Sequence, residues 1–129
     1  MKKILLFTFV LFIIFFACKK DDPTPTSTGN SFAGNWNLSM TGGSWGNAVI
    51  TVDTDGGFEG RPYLHYNTSD SVKVLFEGDI SSNGSIPNGH INLSGTQVGT
   101  FTGTFSGNNA SGNWTTTNYL GSGTWTANR

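Results

Sequence analysis

Cysteine is almost missing from this chain: Cys18 stands alone among 129 residues, so no internal disulfide can form. Charge is sparse as well, with seven Lys or Arg against eight Asp or Glu. Nothing resembles the basic footprint needed to neutralise phosphates, so nucleic acid is not an expected partner. His65 and His90 are the only histidines, and neither stands in a metal-binding spacing. No Gly-x-Ser-x-Gly elbow is present, and no phosphate-cradling glycine loop leads into a helix. Helical periodicity is absent throughout, so no helix is expected after the N-terminal segment. The single long apolar run, Ile4–Ala17, is shorter than the about 20 residues that span a bilayer. These absences leave no expected metal, no cofactor and no enzyme activity.

The N-terminus has a definite pattern. Lys2 and Lys3 precede the apolar run, and small Ala17 ends it, which is the pattern of an export signal over residues 1–17. An uncleaved membrane anchor is the alternative reading. Phe15-Phe16-Ala17-Cys18 resembles the lipobox of bacterial lipoproteins, with Phe15 where that family usually carries Leu. The resemblance implies that Cys18 is acylated and anchors the mature chain to a membrane. More than one acyl chain is needed for stable anchoring. Lys19-Lys20-Asp21-Asp22 resembles the short charged signal of surface lipoproteins in Bacteroidetes. That implies the outer membrane with the cell surface as destination, or its periplasmic face as the alternative.

Removal of residues 1–17 takes Lys2 and Lys3 away and leaves five basic and eight acidic residues, a net charge of −3. Residues 18–31 then read as the lipidated cysteine and a tether. Pro23, Pro25 and a run of Thr, Ser and Asn hold nothing to bury and favour an extended chain. At about 3 Å per residue, the tether reaches roughly 30–40 Å above the lipid.

From residue 32 to 129 the texture is that of half-buried antiparallel strands, with single apolar residues two apart and frequent Gly, Asn and Ser turns. Eight strands are expected: Gly34–Thr41, Trp45–Asp53, Gly57–Tyr66, Ser71–Ile80, Gly89–Gly95, Val98–Gly107, Ser111–Thr117 and Gly121–Asn128. Asp53-Thr54-Asp55-Gly56-Gly57 and Asn83-Gly84 supply hairpin turns. Pro62 cannot donate to a ladder, so it implies an edge, a bulge or a break in the third strand. The stretch Ser81–Asn88 is loop-like and leaves the pairing of the fourth and fifth strands open. An all-β, up-and-down antiparallel meander of this size closes into a small barrel, which removes its raw edges. A two-sheet sandwich is the competing architecture.

Gly34-Asn35-Trp36 resembles the Gly-x-Trp signature of the calycins, the lipocalin and avidin-like barrels. The resemblance implies that Trp36 closes one barrel end and that a late basic residue, here Arg129, packs over its ring. It also implies a possible interior or mouth site for a small ligand, with Tyr63, His65 and Tyr66 as candidates to orient it. Asp70-Ser71-Val72 resembles the O-glycosylation motif of exported Bacteroidetes proteins, which makes Ser71 a candidate for modification. Asp53, Asp55 and Glu59 look superficially like a calcium loop, but Glu59 comes too early for its bidentate position. Glu77 and Asp79 share a strand face, where solvated charge is the simpler reading.

The expected function is a membrane-anchored binding or interaction module whose partner is a glycan, a protein or a small ligand. A calycin-like carrier of a small apolar ligand and a structural surface protein are the alternatives. Carrier and interaction module differ in one measurable property, the volume of the barrel interior.

Overall fold

The computed structural model describes residues 29–129, so the export signal, Cys18 and the charged residues behind it lie outside the described residues. Ten strands follow one another: β1 (Gly34–Gly42), β2 (Gly46–Val52), β3 (Gly57–Gly60), β4 (Tyr63–His65), β5 (Ser71–Lys73), β6 (Leu75–Asp79), β7 (Gly89–Leu93), β8 (Thr96–Ser106), β9 (Asn109–Thr116) and β10 (Ser122–Asn128). Eight of them form a closed antiparallel barrel in the order β1-β10-β9-β8-β7-β6-β3-β2. β4 and β5 make a separate two-stranded sheet. The expected barrel is therefore the observed architecture, and the sandwich is not. Strand β1 completes the circle, because Leu38 faces Ala48 of β2 on one side and Ala127 of β10 on the other.

Strand alternation fills the barrel. Trp36, Leu38 and Met40 of β1, Phe101 and Phe105 of β8, and Trp125 and Ala127 of β10 all point inward and are buried. Each large apolar side chain so buried contributes roughly 1.5–3 kcal/mol. Some inward rings pack edge-on, Trp36 on Phe105 at 4.7 Å and 83° and Phe58 on Phe101 at 5.3 Å and 69°, while Phe76 stacks on Phe101 at 5.0 Å and 19°. Every buried indole N–H finds a backbone carbonyl: Trp36 donates to Phe32 O, Trp114 to Thr41 O, and Trp125 to Thr102 O. Room for the largest rings comes from glycine. A Cβ on Gly103 would stand 2.3 Å from Trp125 Cζ2 and 2.5 Å from Ser111 O.

The third and fourth expected strands are each cut in two. Gly57–Tyr66 breaks at Arg61-Pro62, and Ser71–Ile80 breaks at Val74. The cause is Pro62, which has no N–H to give the ladder. Its carbonyl accepts Val74 N–H at 3.1 Å, so both strands leave the barrel at the same level and pair with each other as β4 and β5.

The Ser81–Asn88 question resolves in favour of direct pairing, since Phe76 of β6 faces Ile91 of β7. The loop between them folds across one barrel mouth. Ile86 N–H donates to Gly103 O at 3.1 Å, Phe105 N–H donates to Gly84 O at 2.8 Å, and Ile86 is buried. Asn83-Gly84 thus turns the loop on itself instead of joining two ladder strands. In the β2–β3 turn, Asp53 Oδ1 accepts from Asp55 N–H and Gly57 N–H, both at 2.9 Å. Gly56 adopts φ +95° there, a conformation open to glycine.

The strand directions define two ends. The chain enters at one, beside the β2–β3, β6–β7 and β8–β9 connections. The domain's contacts there begin at Asn30, whose N–H donates to Thr54 O at 2.7 Å and whose Nδ2 donates to Ile80 O at 2.8 Å. The opposite, distal end carries the β1–β2, β7–β8 and β9–β10 turns and the β4–β5 sheet.

Candidate functional site

The candidate residues divide between the two ends. Trp36 and Arg129 meet at the entry end. Tyr63, His65 and Tyr66 lie together at the distal end, on and just after β4. They do not form one site with Trp36.

At the entry end the indole of Trp36 is fully buried, and the Arg129 guanidinium carbon lies 4.8 Å from its ring centroid. Arg129 is held there by three hydrogen bonds. Its Nη1 donates to Ala33 O at 3.1 Å, its Nη2 to Ser31 O at 3.1 Å, and its Nε to Asn108 Oδ1 at 3.2 Å. The chain end, the incoming segment and the β8–β9 turn are thereby tied over one aromatic ring. Phe32 and Ile86 complete the closure of this mouth.

The interior has no room for a ligand. The void at its centre, lined by residues such as Leu38, Ile50, Phe76 and Trp125, measures about 10 Å³. A single water begins to fit at about 10–15 Å³, and small-molecule sites run to about 300–1,000 Å³. The distal mouth is closed as well, by Leu64 and Leu120, both fully buried. Ser44, buried beside them, donates to Leu120 O at 2.8 Å.

The distal end is where aromatic side chains come to the surface. The exposed large hydrophobic residues among those described are Trp45, Val49, Tyr63 and Tyr119. The three aromatic ones sit at this end, on the β1–β2 turn, on β4 and on the β9–β10 turn. Trp45 and His65 exchange both backbone hydrogen bonds, at 3.0 and 2.8 Å, and their rings stack at 5.6 Å and 23°. Tyr63 shares the outward face of β4 with His65, while Leu64 between them points into the core. Across the ladder, Lys73 faces Tyr63 with its Nζ 5.6 Å from the ring centroid, and Ser71 faces His65. Tyr66 packs edge-on against Tyr119 at 4.9 Å. Desolvation raises the Tyr66 phenol above its ordinary pKa of 10.0, with smaller contributions from Asp70 and Tyr119.

Sequence reasoning singled out Tyr63, His65 and Tyr66 but missed Trp45 and Tyr119. Trp45 was legible by parity. Ala48, Ile50 and Val52 form the inward set of β2, so Trp45 shares the outward face with Asn47 and Val49. Tyr119 sits in a turn, where alternation carries no information.

A second concavity runs along the barrel wall, an open groove of about 820 Å³ bordered by Val49, Thr51, Glu59, Arg61, Glu77 and His90. Glu77 faces His90 across the β6–β7 ladder. Its Oε1 accepts instead from Asn92 Nδ2 at 2.6 Å, while Glu59 pairs with Arg61 at 2.8 Å. His90 Nδ1 is buried without a hydrogen-bond partner. No group of three or more His, Cys, Asp or Glu side chains among the described residues could hold a metal ion. Nothing in the groove couples a nucleophile to a base, so its chemistry is that of a charged wall.

No known family model, curated protein or solved structure matches the chain. The class is therefore defined by the fold and the surface alone: a solid, closed eight-stranded barrel that exposes aromatic rings at one end.

Proposed function

We propose that this chain is a lipid-anchored binding module, held by acylated Cys18 at the outer face of the outer membrane, that offers its distal aromatic surface to a partner. One observation carries the reading. The exposed aromatic residues Trp45, Tyr63 and Tyr119 all stand at the barrel end opposite the chain entry. Exposed rings in one cluster are unfavourable in water and mark contact surfaces. A tether of roughly 30–40 Å entering at the far end would leave this surface directed outward.

The barrel is of calycin-like character, supported by the Gly-x-Trp at the start of β1 and by Arg129 over Trp36. The carrier function of that family has no support here, because a void of about 10 Å³ admits no apolar ligand.

The test is intact-mass analysis of the protein from the membrane fraction of its native host, beside Cys18→Ala, with protease shaving of whole cells. The expected result is a mature mass beginning at Cys18 with acyl chains, lost in the variant and removed by shaving. Any added hexose mass abolished by Ser71→Ala would locate a glycan on Ser71. An unacylated chain, or one that shaving spares, would contradict the proposal.

A further inference from the structure

We propose that Asn88-Gly89 is a site of spontaneous deamidation, at which the chain acquires isoaspartate as it ages. The fold shields the other Asn-Gly pair, Asn83-Gly84. The proposal stands apart from the binding-module reading.

The chemistry needs only the chain and water. The glycine nitrogen gives up its proton and attacks Cγ of the preceding asparagine. Ammonia leaves and a succinimide ring closes. Water then opens the ring. Attack at the backbone carbonyl leaves the chain running through Cγ as isoaspartate, one carbon longer, and attack at Cγ leaves aspartate. Either product carries a carboxylate where an amide stood, and so gains one negative charge. Glycine suits the second position because no Cβ hinders the approach of its nitrogen.

The two Asn-Gly pairs lie at opposite ends of the loop that plugs the entry-end mouth. Asn83 is held fast. Its Oδ1 accepts from Ser85 N–H at 3.0 Å and from the Ser85 hydroxyl at 2.8 Å. The nitrogen that would attack, Gly84 N, donates to Ser81 O at 2.8 Å, and Gly84 O accepts from Phe105 N–H at 2.8 Å. Gly84 is buried, with φ +88°. Ring closure there breaks these bonds together, so it requires the plug to open.

Asn88 lacks such restraint. It is exposed, follows exposed Pro87, and its side chain makes no hydrogen bond among the described residues. Its amide is free to turn toward Gly89 N. Gly89 is the first residue of β7, where it faces Gly78 of β6 and Phe101 of β8. Fraying of one strand end releases its nitrogen, a smaller opening than loss of the plug.

The product has a structural consequence. A Cβ on Gly89 would stand 2.5 Å from Phe101 O, and one on Gly78 would stand 2.6 Å from Asn88 O. Backbones this close leave no slack for an added carbon. Isoaspartate at position 88 therefore displaces the start of β7 and loosens the seam between the plug and the barrel wall.

Hydroxylamine cuts a chain at each succinimide, so fragment masses report the site. The full chain, in detergent micelles, is treated with hydroxylamine at mildly alkaline pH, native and in urea. In urea the cuts before Gly84 and Gly89 should appear at similar rates. In the native chain the cut before Gly89 should be at least tenfold faster than the cut before Gly84, and Asn88→Gln should abolish it. Chain aged in heavy-oxygen water should carry the label at position 88, and its isoaspartate form should melt below the parent. Asn88→Asp, which adds the charge without the extra carbon, should melt like the parent. Equal native rates, a faster cut before Gly84, no native cut before Gly89, or the same bias in urea would overturn the proposal. An isoaspartate form that melts like the parent would overturn its structural consequence.

Discussion

The guanidinium of Arg129, the last residue of the chain, lies 4.8 Å from the ring centroid of Trp36, on the first strand. The contact joins β1 to the segment following β10 at the seam where the barrel closes. It also pins the incoming chain, through Ser31 O and Ala33 O. The segment from Ser31 to Ala33 is thus held at a defined position against the barrel end.

Arg129→Ala removes the cation–π contact and leaves the two carbonyls to water. An exposed contact of this kind is worth about 1 kcal/mol. The melting temperature should fall by about 4–8 °C, read by circular dichroism. Arg129→Lys should recover only part of the loss, because an ammonium cannot span both carbonyls as a planar fork does.

Gly103→Ala should be costlier than its size suggests. The added methyl would meet Trp125 Cζ2 and Ser111 O, both at 2.5 Å or less. Overpacking a dense core costs about 1–3 kcal/mol, to be measured by urea unfolding. Thr102→Ala, on the exposed face of the same strand, should stay within about 0.5 kcal/mol of the parent.

Much of this packing was legible in the sequence, and the reason is periodicity. Trp36, Leu38 and Met40, two apart, name the inward face of β1, and the recurring glycine beside an aromatic names the tight wall. Closure followed from the strand count and the need to remove edges. The β4–β5 sheet was not legible. Pro62 announced an irregularity, but its partner at Val74 is an ordinary strand residue that broke only because Pro62 sits opposite it. The burial of Ile86 was hidden for a similar reason: a loop that plugs a barrel mouth shows no period. Tyr119 entered the candidate surface through long-range packing on Tyr66, which no local pattern records.

Tyr66 gives the distal end a pH dependence with a definite sign. Its phenol is raised above 10.0 in the folded chain, chiefly by desolvation, so the folded state holds the proton more tightly than the unfolded one. The associated stability is complete below pH 10 and is lost as pH rises through the folded pKa. Subtracting the Tyr66→Phe unfolding profile from that of the parent between pH 9 and 11 should leave a declining difference. A flat difference would contradict the assignment.

The filled interior makes a plain negative prediction. Apolar fluorophores such as anilinonaphthalene sulfonate should gain no emission with the native barrel. Phe101→Ala should cost about 3–5 kcal/mol, and the cavity it leaves should admit benzene or xenon while still excluding the larger dye. Strong dye emission from the parent protein would mean an interior more open than about 10 Å³.

The most direct test of an outward-facing, lipid-held barrel uses the scarcity of cysteine. Cys18 is the only native thiol, and acylation would silence it. Ser69, exposed at the tip of the β4–β5 hairpin, can be replaced by Cys with little change of shape. Intact cells of the native host carrying Ser69→Cys are treated with a membrane-impermeant maleimide. Labelling of Ser69→Cys and none of the parent chain is the result expected of an acylated barrel displayed at the cell surface. Labelling of the parent chain, or labelling of Ser69→Cys only after the outer membrane is opened, would contradict it.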